Sequence, residues 1–504
     1  MLVLGQIFHK NKVCNVTVYN VVMQKQKGFV CYNNVSESYL RKRQLRGNAG
    51  WFLLWGLGVG AVISGDFYAW NIGLATGGFW GLAIAAFLMA IMYLCMVYSL
   101  AELSSALPHA GGFYSFVRNA FGPYWGFICG VAVTLEYMLA TSALVFSMSN
   151  YIKPLIPHFV PTYVVWLVLY TIFGVVCVHS LEWTLNVSLF LTLVAIMVLG
   201  IFYVSMLAGG VFKPELLFNI PPDPGQSAFL LPKGWQGVFA TLPYGTMFYL
   251  AIEMLPLASE ETENVPRNMR LAYITGMITL MILAAFTITL NSGVGGGAAE
   301  IAKSEVPLAA GLDAYFGKGS TSEFLTAIAL TLGLGASLPT QMYGYGRITF
   351  ALSRAGYIPR WISVTRKNHI PHRALILFTV VGLICVVLIA NGKAAAVDAI
   401  ILNMAIFGAV ISYILFFLSY IKLKLSRPDL PRSYKSPWGI QGAIVGCVLA
   451  ALALVSCYFT PDYRPGVVGI VVVMILSSLY FFFYSRRRLV AQAPEEAATL
   501  NKST

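Results

Sequence analysis

Apolar runs at Phe79 to Leu100, Val164 to Val178, Leu185 to Leu207, Ala272 to Leu290 and Gly466 to Tyr484 approach or exceed the roughly 20 residues an α-helix needs to cross a bilayer. In hydrocarbon no water satisfies the backbone, so such segments are confined to helices whose hydrogen bonds close internally. Composition agrees, with 58% hydrophobic and 11% charged residues, against about 25% charged in a soluble domain. No soluble core absorbs that much apolar surface. The chain reads as an all-α polytopic membrane protein. Its spans fall at 51–73, 79–100, 123–150, 162–180, 184–208, 236–258, 270–292, 322–345, 374–391, 396–420, 438–459 and 465–484, twelve transmembrane helices in all.

A net charge of +13 would suggest nucleic acid in a soluble chain. Here 26 of the 33 Lys and Arg fall on the two tails and the alternate loops that share their side. That bias is a topology signal: both termini, residues 1–50 and 485–504, are expected in the cytoplasm of a plasma-membrane protein, with no nucleic-acid partner. Residues 1–40 are polar and irregular, lack the basic and apolar regions of a cleaved signal, and read as a tail, with Met23 as an alternative start. The eight cysteines have no metal or redox spacing and mostly sit in spans, as small packing residues. No metal or other cofactor is expected.

Two spans carry faults. The first is crowded with Gly56, Gly58, Gly60 and Gly65 and holds Asp66; the sixth contains Leu242-Pro-Tyr-Gly-Thr246, Glu253 and Pro256. Glycine and proline weaken a helix, and the freed backbone survives in a membrane only where it lines a cavity or is buried in protein. Five helices separate the two, so they open two corresponding units, residues 51–235 and 236–437, with residues 438–484 outside the repeat. Interrupted helices at matching positions point to a transporter of inverted repeats with a midplane site. Glycines that merely let helices pack closely are the competing explanation, but they account for neither acid.

Three stretches resemble the amino acid-polyamine-organocation permease superfamily: Ala101-Glu-Leu-Ser-Ser-Ala-Leu-Pro-His-Ala-Gly-Gly-Phe-Tyr114, Tyr249-Leu-Ala-Ile-Glu253 with Glu260-Glu261 and Pro266, and Tyr343-Gly-Tyr-Gly-Arg-Ile-Thr-Phe-Ala-Leu-Ser-Arg-Ala-Gly-Tyr-Ile-Pro359. The resemblance covers roughly residues 50 to 430 and implies a leucine-transporter-type 5+5 inverted repeat plus two extra helices. Within the superfamily, Ile63-Ser-Gly-Asp-Phe-Tyr-Ala-Trp-Asn-Ile-Gly73 and the stretch from Met92 to Gly112 are similar to the ethanolamine permease branch. Amino-acid carriers usually place Gly-Ser/Ala-Gly, an aliphatic residue and Phe at the first break. Here Ile63 replaces the first glycine and Asp66 the aliphatic residue.

In the wider superfamily, backbone N–H groups at this break hold a substrate carboxylate, as the positive end of a half-helix favours. Asp66 would repel that carboxylate and attract an ammonium group. The family resemblance therefore implies a small cationic amine as substrate, with an amino acid as the alternative. Asp66 is equally suited to cap the second half-helix. Ser64 and Gly65 supply turn geometry and backbone polar groups. Glu253, with Ala251 and Ile252, lies in the substrate-facing segment of the sixth span, as a proton carrier or as an acid bonded to unwound backbone. Glu136 lies deep in the third span beside Tyr137 and must face an interior rather than lipid. Asp66, Glu136 and Glu253 are the proton-coupling candidates. Phe248 and Tyr249 flank the sixth-span break, where an aromatic closes over a cation or simply packs; Gln341, ahead of Ser337 and Thr340, is the polar candidate from the eighth span. Glu102, Arg347 and Arg354 read as solvated loop charge, with an inner-gate ion pair as the alternative.

The six histidines lie in tails, loops or span ends, and the chain has neither a zinc-protease motif nor a nucleophile elbow, so an enzyme has no visible site. A channel would call for a selectivity-filter repeat, which is missing. Coupling to a proton or sodium, uniport and exchange stay open, and the last two spans are available for packing or for a homodimer contact.

Overall fold

The computed structural model describes residues 25–27, 29–157, 159–317, 319–391, 397–460 and 463–500. Its first nine helices are α1 (Glu37–Arg41), α2 (Trp51–Val62), α3 (Ile72–Ala106), α4 (Phe113–Phe121), α5 (Pro123–Ile152), α6 (Thr162–His179), α7 (Leu181–Ala208), α8 (Gly234–Thr246) and α9 (Val265–Ser292). There follow α10 (Ala298–Ile301), α11 (Pro307–Phe316), α12 (Ser320–Gly335), α13 (Ser337–Arg354), α14 (His372–Asn391), α15 (Val397–Ser426), α16 (Gly439–Phe459), α17 (Arg464–Phe483) and α18 (Pro494–Leu500).

Among the described residues ten stretches are long and apolar enough to cross a membrane: α3, α5, α6, α7, α9, α12 with α13, α14, α15, α16 and α17. The protein is thus a multi-pass, all-α membrane protein. These ten coincide with ten of the expected spans, and the other two are the spans read as faulty. The first runs helically only to Val62, tightens into a 3-10 turn over Ile63–Asp66, and resumes at Ile72. Gly78, at φ 72°, then turns the chain into the second span; Pro232 sits 2.4 Å from where a β-carbon would stand, so no other residue fits. The sixth stops at Thr246 and continues past a left-handed Ala251 as a 3-10 segment, Ile252–Glu261.

Packing grades outward from α5, whose apolar window is 89% buried, to α17 at 17%. The third span is therefore the centre of the bundle, and α17 lies at its periphery. The broken α2 packs against α7, α9 and the 3-10 segment of the sixth span, while α3 packs on α8 and α9. Both breaks lie in that interior.

The two tails meet on one face. β1 (Lys25–Lys27) pairs antiparallel with β2 (Val30–Asn33), and β2 pairs in parallel with β3 (Leu489–Val490) through Tyr32↔Leu489 and Asn33↔Val490. The two tails form one sheet. The stretch before Lys25, including Met23, and residues 501–504 lie outside the described residues.

Candidate functional site

The two breaks face each other. A β-carbon on Gly65 would stand 2.0 Å from the Met247 carbonyl oxygen, so the first break lies directly on the sixth and only glycine permits the approach. Ser64 N–H donates to Ser337 Oγ at 3.3 Å, and that hydroxyl donates to the Gly60 carbonyl at 2.6 Å. Gln341 Nε2 donates to the Ala61 carbonyl at 3.2 Å while its Oε1 accepts from Thr141 at 3.4 Å. The carbonyls freed by the first break are thus satisfied by α13. Gln341 thus bridges α2 and α5.

Asp66 is fully buried, and neither carboxylate oxygen has a hydrogen-bond partner. Its side chain makes no capping hydrogen bond. Its backbone carbonyl accepts from the Trp70 indole N–H at 3.2 Å. The Thr287 hydroxyl lies beside the carboxyl, but pairs with Tyr203 Oη at 2.7 Å. No ion pair reaches Asp66 among the described residues. A carboxylate at that depth without a partner is costly unless a cation or proton joins it.

Aromatic rings close around this point. The Trp70 and Phe248 centroids are 5.9 Å apart, Phe248 and Tyr249 6.4 Å, and Tyr249 and Tyr93 5.6 Å. Phe248 and Tyr249 are buried as expected; Trp70 and Tyr93 complete the group.

An acidic pair, Glu136 and Glu253, lies beyond Tyr93. Glu253 Oε2 accepts from Ala251 N–H at 3.1 Å, the expected bond to unwound backbone, while Oε1 has no partner. Glu136 Oε1 accepts from Tyr413 Oη at 3.4 Å, and Tyr413 accepts from Tyr93 Oη at 3.0 Å. The remaining oxygen of Glu136 has no partner, and the Glu136 and Glu253 carboxyls lie within reach of one another. Ala251, at φ 85°, is what turns Glu253 back toward α5. Tyr137 is buried with its ring against Gly344, 3.0 Å from where a β-carbon would stand. Ile252 packs toward Gly276 on α9.

The tail-bearing face is closed by ion pairs, and here the expectation of solvated loop charge is overturned. Arg347 Nη2 donates to Glu261 Oε1 at 2.8 Å, with both groups buried. Arg354 donates to Glu260 through Nη1 at 2.9 Å and to Glu495 through Nη2 at 2.5 Å. Glu102 pairs with neither arginine; it accepts from Lys424 at 2.6 Å, Tyr420 at 2.7 Å and the Ser436 N–H at 2.8 Å. Glu496 of α18 is fully buried against Arg118 of α4 and accepts from Tyr357 at 2.7 Å. Burial pushes the Glu495 carboxyl up, and Glu260 adds to this against Arg354. For Glu260, burial is outweighed by Arg354 and by the Ala110 N–H at 3.0 Å, which hold it below the usual carboxylate range. Burial, reinforced by Arg354 and opposed by Glu260, pushes His109 down to about 4.

Sequence reasoning missed Trp70, Tyr93, Thr287 and Tyr413 around the acids, since one polar or aromatic residue in an apolar span reads the same whether it faces lipid, a neighbour or a cavity. Among the described residues no group of three or more His, Cys, Asp or Glu is placed to hold a metal.

The chain matches the amino acid permease family profile across residues 50–485. It is 26% identical over 433 residues to the branched-chain amino acid permease BcaP of Bacillus subtilis, covering 83% of this chain and 88% of that protein. It is 24% identical over 436 residues to the methylthioribose transporter of the same organism, covering 80% and 86%. An uncharacterized transporter of Rhizobium meliloti is 24% identical over 419 residues, covering 79% and 84%.

Proposed function

The chain belongs to the amino acid permease family, and from that premise we propose that it is a secondary active transporter importing a small organic amine, ethanolamine or a similar amino alcohol, across the plasma membrane. Membership makes it a transporter rather than an enzyme. The substrate reading is carried by Asp66, a buried carboxylate at the first break with both oxygens unpartnered. An ammonium group entering between Asp66 and the Trp70–Phe248–Tyr249 rings meets a carboxyl that pairs with it as a carboxylate, and aromatic faces, both of which favour a cation. A substrate carboxylate at the same break meets repulsion.

Transport follows alternating access, with the broken first and sixth spans rocking against a scaffold centred on α5. The two five-span units, residues 51–235 and 236–437, are the inverted repeats, and both tails are cytoplasmic. The ion pairs over Arg347 and Arg354 then form the inner gate. A monovalent cation gains about 2.3 kcal/mol from 100 mV of membrane potential, enough for roughly fiftyfold accumulation. Coupling by Glu136 and Glu253 adds to that drive without being required for it.

The amino-acid permease or exchanger reading is favoured by one observation, the similarity to a relative named for branched-chain amino acids. Uptake of labelled ethanolamine, choline and neutral amino acids by purified protein in liposomes separates the two, wild type beside Asp66→Asn. The amine reading expects ethanolamine uptake that Asp66→Asn abolishes. Ready uptake of zwitterions with indifference to ethanolamine sinks it.

A further inference from the structure

Asn291, in the last turn of α9, is fully buried, and neither Oδ1 nor Nδ2 has a hydrogen-bond partner. It stands four residues, about 6 Å along the axis, beyond Thr287 on the same helix face, and Thr287 lies beside the Asp66 carboxyl. Its Oδ1 is 2.5 Å from where a β-carbon on Gly311 would stand, and the Phe202 ring comes within 2.7 Å of the same point. The amide is therefore enclosed between α7, α9 and α11. The neighbouring Ser292 hydroxyl is also buried and unpartnered. Buried amides are nearly always hydrogen-bonded, so an unsatisfied donor and acceptor one turn from Thr287, the residue beside the unsatisfied Asp66 carboxyl, marks a place for a ligand's polar groups.

Building on the assignment of Asp66 to an ammonium group, we infer that Asn291 is a specificity-determining residue that reads a second, uncharged hydrogen-bonding group on the amine, a hydroxyl in the simplest case. A neutral amide offers two N–H donors and one acceptor oxygen. A hydroxyl uses one of each, whereas a bare alkyl chain uses neither and leaves Asn291 stranded in an apolar wall. A site built to bond a hydroxyl rejects the analogue lacking it. The substrate class is thus the amino alcohols, set apart from simple alkylamines of the same charge and nearly the same size.

The test is competition against labelled ethanolamine uptake in proteoliposomes by unlabelled ethanolamine and by ethylamine, which lacks only the hydroxyl. In the wild type, ethylamine is expected to compete about tenfold or more weakly. In Asn291→Leu that ratio is expected to fall toward one, chiefly because ethanolamine binds less well. Gly311→Ala crowds the amide oxygen without changing its chemistry and is expected to narrow the ratio in the same direction. Thermal stabilisation of each purified variant by the two amines gives a second readout should a variant insert poorly. Wild-type discrimination retained in Asn291→Leu overturns the inference, as does a wild type that treats the two amines alike. Loss of both amines' uptake in Asp66→Asn together with retained discrimination in Asn291→Leu strikes the hydroxyl reading alone. Indifference of the wild type to both amines strikes the ammonium site itself.

Discussion

Arg354 Nη2 lies 2.5 Å from Glu495 Oε1 while the same guanidinium holds Glu260. Glu260 ends the broken sixth span, Arg354 ends α13, and Glu495 belongs to α18 near the chain's end. One cation thus joins two carboxylates from segments far apart in sequence. Strand pairing of β2 with β3, and the Val490 N–H donating to the Ala355 carbonyl at 2.9 Å, deliver Glu495 to that place. The tail is part of the closed face.

Docking of the tail is expected to depend on pH through Glu495. Its carboxyl is raised in the docked state by burial and by Glu260, against Arg354. A raised acid binds its proton more tightly when docked, so its contribution is full below the free glutamate value of about 4.3 and is lost as pH rises through the docked value. Glu260, held low, stays ionised across that window. His109, pushed down to about 4, opposes docking increasingly as pH falls from the free imidazole value of about 6.5 to that docked value, and so partly offsets Glu495 at the acid end. Distances between spin labels on α18 and α4 should lengthen and broaden as pH rises above the free glutamate value of about 4.3 and through the raised docked value. Glu495→Gln should flatten the response. An unchanged pH profile in that variant removes Glu495 from the account.

Arg118 and Glu496 form a buried pair, and breaking it from one side should cost more than removing it whole. Arg118→Ala leaves a desolvated carboxylate beside Tyr32 and Tyr357, an expected loss of about 3–5 kcal/mol. Replacing both residues by apolar side chains of similar volume should cost far less, because no uncompensated charge remains. Thermal unfolding in detergent decides the order. Equal losses in the single and double variants would mean that the tail's contribution lies in its strand and not in the ion pair.

Much of the fold was legible because the bilayer permits so few backbone solutions. Ten expected spans reappear as apolar helices, and the two spans marked by glycine and proline are the ones that break. The acids at the breaks were legible for the same reason, as charge has few places to go in lipid. Side-chain partnership was not. Gln341 stood out as polar, but its bridge from Ala61 to Thr141 did not; Asn291 carried no signal, yet it is the amide left over. Ala251 hid its left-handed backbone because nothing in an alanine announces φ 85°. Strands of two to four residues fall below any periodicity, so the sheet joining the tails was invisible.

The backbone at the breaks gives opposite expectations for two small residues. Ala251 at φ 85° bears a left-handed strain of about 1–2 kcal/mol. Ala251→Gly should therefore leave melting temperature unchanged or slightly raised, while Ala251→Val should lower it. Gly65→Ala drives a methyl into the Met247 carbonyl, and should separate the two breaks and abolish uptake. Melting curves beside initial uptake rates check both residues. Normal uptake by Gly65→Ala would show that the breaks need not touch during the cycle.

The facing carboxyls of Glu136 and Glu253 predict how transport responds to a proton gradient. Two buried like charges within reach of each other, with no cation paired to either among the described residues, are far more stable when one proton is held between them. Opening toward the more alkaline side then lets that proton leave, and the chain Tyr93 to Tyr413 to Glu136 supplies hydroxyls that reorganise around the change. Replacing either acid with its amide removes the facing charge that ties the remaining carboxyl's proton to the cycle. Glu136→Gln and Glu253→Gln are each expected to retain solute counterflow, which needs no net proton movement, while losing accumulation driven by an imposed pH gradient. Asp66→Asn should lose both, because it removes the amine's counter-charge rather than the proton's seat. Acidification of a trapped pH dye during uptake measures the proton directly. Gradient-driven accumulation that persists in both glutamine variants would assign the pair to holding the sixth-span break in shape, through the Ala251 N–H, and leave the membrane potential as the sole drive.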